Sequence, residues 1–193
     1  MSIRIAFDLS ENDLEHFRLI MRQAQQTADT LAESEIIDAA NALLEEVNTS
    51  DAPDFIRERF YKLSTMTAML RDSEWQLPKE ETTRVLNALA YFTEEEDLIP
   101  DHIPGLGFLD DAIMVELVVR ELKHEIDAYE DFCAFRAREE TRRGKEEDEV
   151  SREEWLSGRR AELHSRMRRR RRGGRRSRSS GSSRSFKSPF SIF

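Results

Sequence analysis

The sequence has few of the residues that disulfide-bonded, zinc-bound or membrane-spanning proteins need. Its 193 residues include a single cysteine, Cys133, so neither an intramolecular disulfide nor a cysteine-built zinc site can form. The longest apolar run near the middle of the chain, residues 112–119, contains Glu116 and is too short to cross a bilayer. The first residues lack the hydrophobic stretch of a secretory signal peptide. These absences predict a cytoplasmic protein without a transmembrane segment.

Acidic residues are missing altogether after Glu162. Residues 1–162 hold all 39 Asp and Glu but only 19 of the 30 Lys and Arg, a formal charge of −20, whereas residues 163–193 hold 11 Lys and Arg. Charged residues make up 36% of the chain, against about 25% in ordinary soluble domains. A body of this charge repels nucleic acid and anionic lipid, while the segment that follows it attracts both.

Apolar residues recur at helical spacing along most of the body. Ser10 and Asp13 form a capping-box pattern in front of a first helix, and Pro53 stands where a third helix can begin. After a loop, Phe108 starts a long fifth helix whose apolar stripe continues to Tyr129. Asp110 and Asp111 are expected in its first turn, where carboxylates interact well with the helix dipole. No long alternating stretch indicates a strand. The sequence therefore predicts an all-α fold, a bundle of about five helices with a loop rich in Pro, Gly and Asp between the fourth and the fifth.

The apolar pattern thins towards the end of the body. We expect an acidic helical bundle over residues 1–138, a charged linker over 139–150 and an amphipathic to basic helix over 151–172. A Gly-Gly pair follows, which is expected to end that helix. Residues 173–193 are rich in Arg, Ser and Gly and are expected to be a disordered tail, because such a composition buries too little apolar surface to fold alone.

The predicted loop, DLIPDHIPGLGFLDD at residues 97–111, combines prolines, glycines and aspartates with apolar residues. Each proline favours an extended residue before it, so we expect a stiff connector. Its carboxylates are hard oxygen ligands of the kind that Mg²⁺ or Ca²⁺ prefers: Asp97, Asp101, Asp110 and Asp111. The alternative is that these aspartates brace the turn by accepting hydrogen bonds from backbone N–H groups. No nucleophile or phosphate-binding loop accompanies them, so no catalytic residue is assigned.

The same segment resembles the signature of the YkvA-like family, whose shared domain has no established chemistry. The family pattern is a Tyr, then D-L-I-P-D, a hydrophobic residue and Pro, a Gly and a final D-D. It is matched by Tyr91, Asp97 to Asp101, Ile103-Pro104, Gly107 and Asp110-Asp111. Relatives usually carry a proline two residues before the first Asp, where this chain has Glu95. Many relatives look membrane-associated through flanking apolar segments, which this chain lacks. The resemblance spans residues 89–128. No cofactor is expected beyond the cation considered above.

Arginines crowd the segment from residue 166 onward. Such density predicts binding to nucleic acid or another polyanion through counterion release. The residues expected to bind are Arg168, Arg169, Arg170, Arg171, Arg172, Arg175, Arg176 and Arg178. The alternatives are that this positive segment lies on its own negative body, or that it serves as a solubilising extension.

Apolar residues return at the end of the sequence. Phe186, Phe190 and Phe193 suggest a peptide that docks into a groove of a partner. The same residues, beside a basic cluster, could also insert shallowly into a membrane interface as a weak anchor. Elsewhere, His16, His124 and His164 lie among charged neighbours, which predicts that all three are at the surface.

Together these features favour a non-enzymatic interaction protein. Its acidic body would bind an unidentified protein partner, and its cationic tail would hold it to nucleic acid or another polyanion. Two alternatives stay open: a divalent-metal protein, including a metal-dependent hydrolase, that uses the four aspartates, and a peripheral membrane factor.

Overall fold

The computed structural model describes residues 10–28, 30–93, 108–143 and 149–178, with backbone alone at 27, 149–150 and 174–178. Within these ranges the chain forms seven α-helices and one 3₁₀ helix, and no strand. The prediction of an all-α fold is confirmed. The helices are α1 (Glu11–Ala28), α2 (Glu33–Thr49), α3 (Asp54–Arg71), α4 (Lys79–Leu89), the 3₁₀ helix (Ala90–Thr93), α5 (Leu109–Glu121), α6 (Lys123–Arg143) and α7 (Glu149–Arg178).

Local capping chemistry determines where the first helices begin. The backbone N–H of Ser10 donates to the carboxylate of Asp13 at 2.8 Å, and the N–H of Asp13 donates to the Ser10 hydroxyl at 3.3 Å. This reciprocal pair is the predicted capping box. Pro53 immediately precedes α3 and Pro78 immediately precedes α4, each with φ near −60°. A proline suits this place because the first turn of a helix has no partner for its backbone N–H.

The predicted long fifth helix is divided in two at Leu122. The N–H of Leu122 donates to the carbonyl of Val118 at 2.9 Å and ends α5, while its own carbonyl accepts the N–H of Ile126 at 2.9 Å and begins α6. Leu122 is fully buried. The bend lets α5 pack on α3 while α6 packs along α7. No proline or glycine marks this position, so tertiary packing rather than local sequence produces the bend.

The last helix is part of the hydrophobic core. Leu156, Leu163 and Met167 lie on one face of α7, are each at most 1% exposed and belong to the same apolar cluster as Trp75 and Phe132. Burying a side chain of this size contributes about 1.5–3 kcal/mol. The acidic bundle and α7 therefore share one core.

Two predicted boundaries in the second half of the chain differ from the structure. Helix α6 continues through Arg143, into the stretch expected to be a linker from residue 139. Helix α7 does not end at the Gly173-Gly174 pair but continues to Arg178. A glycine in a helix costs only about 1 kcal/mol, and a helix already held by its packed face extends readily. Residues 144–148 and 179–193 lie outside the described residues.

Candidate functional site

The four aspartates expected to hold a cation divide into two pairs. Asp97 and Asp101 lie outside the described residues. Asp110 and Asp111 are buried in the first turn of α5, where the sequence predicted them and where the helix dipole favours carboxylates. Within the described ranges, no group of three or more His, Cys, Asp or Glu is placed to hold a metal ion. The cation site stays a prediction, which calorimetry with Mg²⁺, Ca²⁺ and Mn²⁺ on the natural chain and on Asp101→Asn would test.

The residue that leads into α5 adopts a left-handed backbone conformation. Phe108 has φ 62° and ψ 11° and is buried. Its carbonyl accepts the N–H of Ala112 at 2.9 Å, which starts the helix. The left-handed region costs an L-residue about 1–2 kcal/mol, a cost that burial of the phenyl ring offsets. The buried Phe108 side chain therefore determines where α5 starts.

Four arginines of α7 lie against oxygen atoms of the preceding elements. They flank the apolar face that buries Leu163, so one side of the helix is both packed and neutralised. The contacts are those of Arg152 with the Glu74 and Glu140 carboxylates, Arg160 with the Glu74 backbone carbonyl, Arg166 with Asp131 and Arg171 with Glu80.

Arg171 lies against two buried carboxylates. Its Nη2 donates to the Glu80 carboxylate at 2.7 Å, and its Nη1 lies 3.5 Å from Glu81 and 3.7 Å from Glu125. Glu81 and Glu125 are 1% and 0% exposed, and Arg84 also pairs with Glu125. Two buried carboxylates thus face two guanidinium groups, which balances their charge inside the fold. We call the carboxylates of Glu80, Glu81 and Glu125 the acidic slot.

The neighbouring arginines are arranged differently. Arg169, Arg170 and Arg172 are exposed and Arg168 is half-buried. Among the described residues, the ion pairs of α7 with the rest of the fold use other arginines. We call Arg168, Arg169, Arg170 and Arg172 the outer arginine cluster. The sequence left open whether the basic segment lies on its own body, and the structure places Arg171 there, whereas Arg169, Arg170 and Arg172 are exposed.

The other residues predicted to bind a polyanion or a partner are less fully described. The backbone of Arg175, Arg176 and Arg178 belongs to α7, but their side chains are outside the described part of the chain. Phe186, Phe190 and Phe193 lie outside the described residues.

Sequence reasoning missed the acidic slot. Its signal was present, because Glu81 lies one helical turn before Val85 and Glu125 one turn before Tyr129, in register with the buried faces of α4 and α6. A charged residue in register with an apolar stripe indicates a buried charge, and a buried charge needs a partner. The sequence did not show which arginine that partner would be.

One of the three histidines expected at the surface is buried. His164 is 8% exposed, and its ring lies 4.3 Å from that of Trp75. Burial, together with the nearby charges of Arg168 and Arg160, lowers its pKa to about 4. The surface prediction was wrong because His164, next to Leu163, falls on the packed face of α7 despite its charged neighbours in sequence.

Comparison with known proteins identifies a family but no reaction. A family model described as a protein of unknown function (DUF1232) matches residues 83–117. A protein of Bacillus subtilis (strain 168) named uncharacterized membrane protein YkvA is 36% identical over 74 residues, which cover 35% of this chain and 68% of that protein. The chain belongs to the YkvA-like family.

The YkvA-like match covers the middle of the fold. Residues 83–117 include most of α4, the Pro/Gly/Asp segment and the first part of α5, whereas α7 lies beyond them. Arg84 is therefore inside the matched region and Arg171 is outside it. No solved structure gives a significant match to the chain. None of the helices in the described residues is both long enough and apolar enough to cross a membrane.

Proposed function

We propose that this YkvA-like protein is a non-enzymatic interaction protein that attaches to an anionic membrane surface through the end of α7 and the basic residues that follow it. The observation that supports the proposal is the division of the arginines. Those on the packed side of α7 are neutralised by the body, while Arg169, Arg170 and Arg172 are exposed. The acidic bundle would then face away from the surface and bind a protein partner.

The charge distribution favours one orientation. Each Lys or Arg close to an anionic leaflet contributes about 1 kcal/mol to binding, an attraction that falls off within a Debye length. Residues 1–162, with a formal charge of −20, are repelled by the same surface. The protein would therefore approach with the end of α7 first, and binding would weaken as salt is added.

Several features favour a lipid surface over nucleic acid as the polyanion. Proteins that bind single strands without base readout combine a basic groove with aromatic stacking platforms. In the described part of the chain, the large exposed hydrophobic residues are Leu19 of α1 and Tyr61 of α3, not residues of α7. The basic run is followed by apolar residues at 186–193, and a charge cluster with a short apolar insertion is a recurring membrane anchor. The Bacillus subtilis relative is itself named a membrane protein.

Vesicle flotation tests the proposal. The full-length chain is floated with phosphatidylcholine vesicles, with and without phosphatidylserine, at low and high salt. We expect binding only when phosphatidylserine is present, lost at high salt, and weakened about 100-fold by Arg169→Gln, Arg170→Gln and Arg172→Gln together, from about 1 kcal/mol for each charge.

A charge-matched variant and a nucleic-acid arm make the test specific. The control replaces three exposed arginines elsewhere, Arg22, Arg138 and Arg142, by glutamine. It removes the same charge, so an equal loss in the control would contradict attachment through α7. The same chain is also tested with single-stranded RNA and duplex DNA at the same salt. Tighter binding to either than to phosphatidylserine vesicles would show that the polyanion is nucleic acid and not a membrane.

A further inference from the structure

We infer that the acidic slot keeps Arg171 from binding the membrane surface together with the outer arginine cluster. The body and the membrane surface would then compete for the end of α7. The inference rests on the proposed function and adds a regulatory contact to it. Binding of the surface and occupancy of the slot by Arg171 would oppose each other.

The position of Arg171 carries the inference. It is the fourth of five consecutive arginines, 168–172, yet its side chain is only 17% exposed. Its guanidinium reaches Glu80 and Glu81 of α4 and Glu125 of α6. One charge of the basic run is therefore turned into the fold while its neighbours on both sides are exposed.

The slot differs from an ordinary surface ion pair. Exposed pairs are held weakly because water solvates both partners. Glu81 and Glu125 are buried. The departure of Arg171 would leave Glu125 paired with Arg84 but would remove the guanidinium that faces Glu81, and an uncompensated buried charge is strongly unfavourable. The slot therefore holds Arg171 more firmly than an exposed carboxylate holds an exposed arginine, as in the pair of Arg71 with Asp38.

The same contact orders the end of the helix. Arg168 and Arg172 are four residues apart, a spacing at which like charges repel in a helix. The carboxylates of the slot lie near these arginines and attract the positive charge of Arg171, which connects this part of α7 to α4 and α6. Weakening the slot would free one more arginine for the surface and loosen the turns that carry the others. Since attraction to an anionic leaflet needs charge rather than helical order, tighter membrane binding should result.

The experiment compares two double variants, each of which replaces two consecutive glutamates. Glu80→Gln with Glu81→Gln weakens the slot, and Glu45→Gln with Glu46→Gln removes the same charge from the exposed face of α2. On phosphatidylserine vesicles we expect the slot variant to bind about fivefold more tightly than the α2 variant, the gain from one arginine. Equal affinity, or weaker binding by the slot variant, would overturn the competition.

Hydrogen exchange without vesicles gives a second measurement. Amides at 168–172 should exchange about tenfold faster in the slot variant than in the α2 variant, because the local opening of α7 is no longer opposed by the ion pairs. Unchanged exchange there would overturn the inference even if affinities differ. If the double variant does not fold, Glu80→Gln is compared with Glu45→Gln, since the Glu80 side chain is 71% exposed and its replacement leaves the buried carboxylates in place.

The two proposals fail in different ways. If neither the natural chain nor any variant binds phosphatidylserine vesicles, the proposed function fails and the competition fails with it. If all of them bind and the two glutamate variants bind equally, attachment through α7 stands and only the competition is overturned.

Discussion

The imidazole of His164 lies edge-on against the indole of Trp75, with ring centroids 4.3 Å apart and an interplanar angle of 75°. Trp75 comes from the connection between α3 and α4 and is fully buried, while His164 comes from α7. Phe132 of α6 lies against the same indole, with ring centroids 5.0 Å apart. The contact attaches α7 at the centre of the core, which gives the arginines beyond it a defined position.

Acid should weaken this attachment. The pKa of His164 is about 4 in the folded protein, against about 6.5 in an unfolded chain. The unfolded state therefore takes up a proton first, so the contribution of His164 is complete above about pH 6.5 and is lost as the pH falls towards 4. Between pH 7 and pH 5 we expect the free energy of unfolding to drop by about 2 kcal/mol from this residue alone.

Urea unfolding at pH 7, 6 and 5 measures the effect. The variant His164→Phe keeps an aromatic ring beside Trp75 but cannot bind a proton, so its stability should change with pH by about 2 kcal/mol less than that of the natural chain. His16 is exposed, and His16→Gln should keep the full pH dependence. The same pH dependence in the natural chain and in His164→Phe would contradict the prediction.

Truncating the packed face of α7 should destabilise the whole protein. Leu163 is fully buried, and Leu163→Ala should lower the free energy of unfolding by about 2–5 kcal/mol, from lost burial and the cavity left behind. The adjacent Glu162 is exposed, so Glu162→Ala should stay within about 0.5 kcal/mol of the natural chain. A loss below about 1 kcal/mol for Leu163→Ala, measured by urea unfolding, would mean that α7 is not part of the core.

Glu74 connects α6 and α7 to the α3–α4 connection. Its carboxylate binds Arg152 and, at 2.7 Å, Arg136, and its backbone carbonyl accepts from Arg160 at 2.8 Å. The hydrogen bond from Arg152 lowers the pKa of Glu74, with a further contribution from Arg136, against the raising effect of burial. The stabilisation is therefore present above the ordinary pKa of a glutamate and is lost as acid protonates the carboxylate.

Substitution tests that connection. Glu74→Gln should cost about 1–2 kcal/mol, because hydrogen bonds to a charged group are lost at a partly exposed site. A double-mutant cycle with Arg152→Gln should give a coupling energy of about 1 kcal/mol. Glu58→Gln, at an exposed carboxylate of α3, is the control and should be close to neutral. Additive effects of Glu74→Gln and Arg152→Gln would show that their ion pair contributes nothing to stability.

A single backbone position offers a route to higher stability. Gln76 has φ 49° and is exposed, immediately after Trp75. Glycine adopts the left-handed region without the steric penalty of a Cβ atom, so Gln76→Gly should raise the free energy of unfolding by about 0.5–1 kcal/mol. Gln76→Ala keeps the Cβ atom and should bring no gain. An equal gain in both variants would assign the effect to the side chain rather than to the backbone.

Much of the local structure could be predicted because it depends on residues a few positions apart. The Ser10 and Asp13 cap and the entry of Asp110 and Asp111 into the first turn of α5 are confirmed. The bend at Leu122 has no local signal, since it arises from different packing partners of α5 and α6. The extension of α7 past Gly173 likewise reflects packing earlier in the helix, which local propensity does not report.

The candidate site was predicted less completely. The sequence identified the arginines at 168–172 as a group, but their environments in the fold differ. Arg171 is 90 residues from Glu81 and 46 from Glu125, and these three residues meet only because α4, α6 and α7 pack together. The charge composition shows that the chain has enough carboxylates to neutralise its arginines. It does not show which carboxylate pairs with which arginine.

The sequence by itself determined the helical periodicity, the capping of α1 and the separation of a negative body from a positive segment, because these follow from residue types and their spacing. Only the tertiary structure decided that α7 shares the core, that His164 is buried and that Arg171 is neutralised while Arg169, Arg170 and Arg172 are exposed. The physical reason is that burial and ion pairing depend on distances in space. Those distances are set by how the apolar faces of distant helices pack.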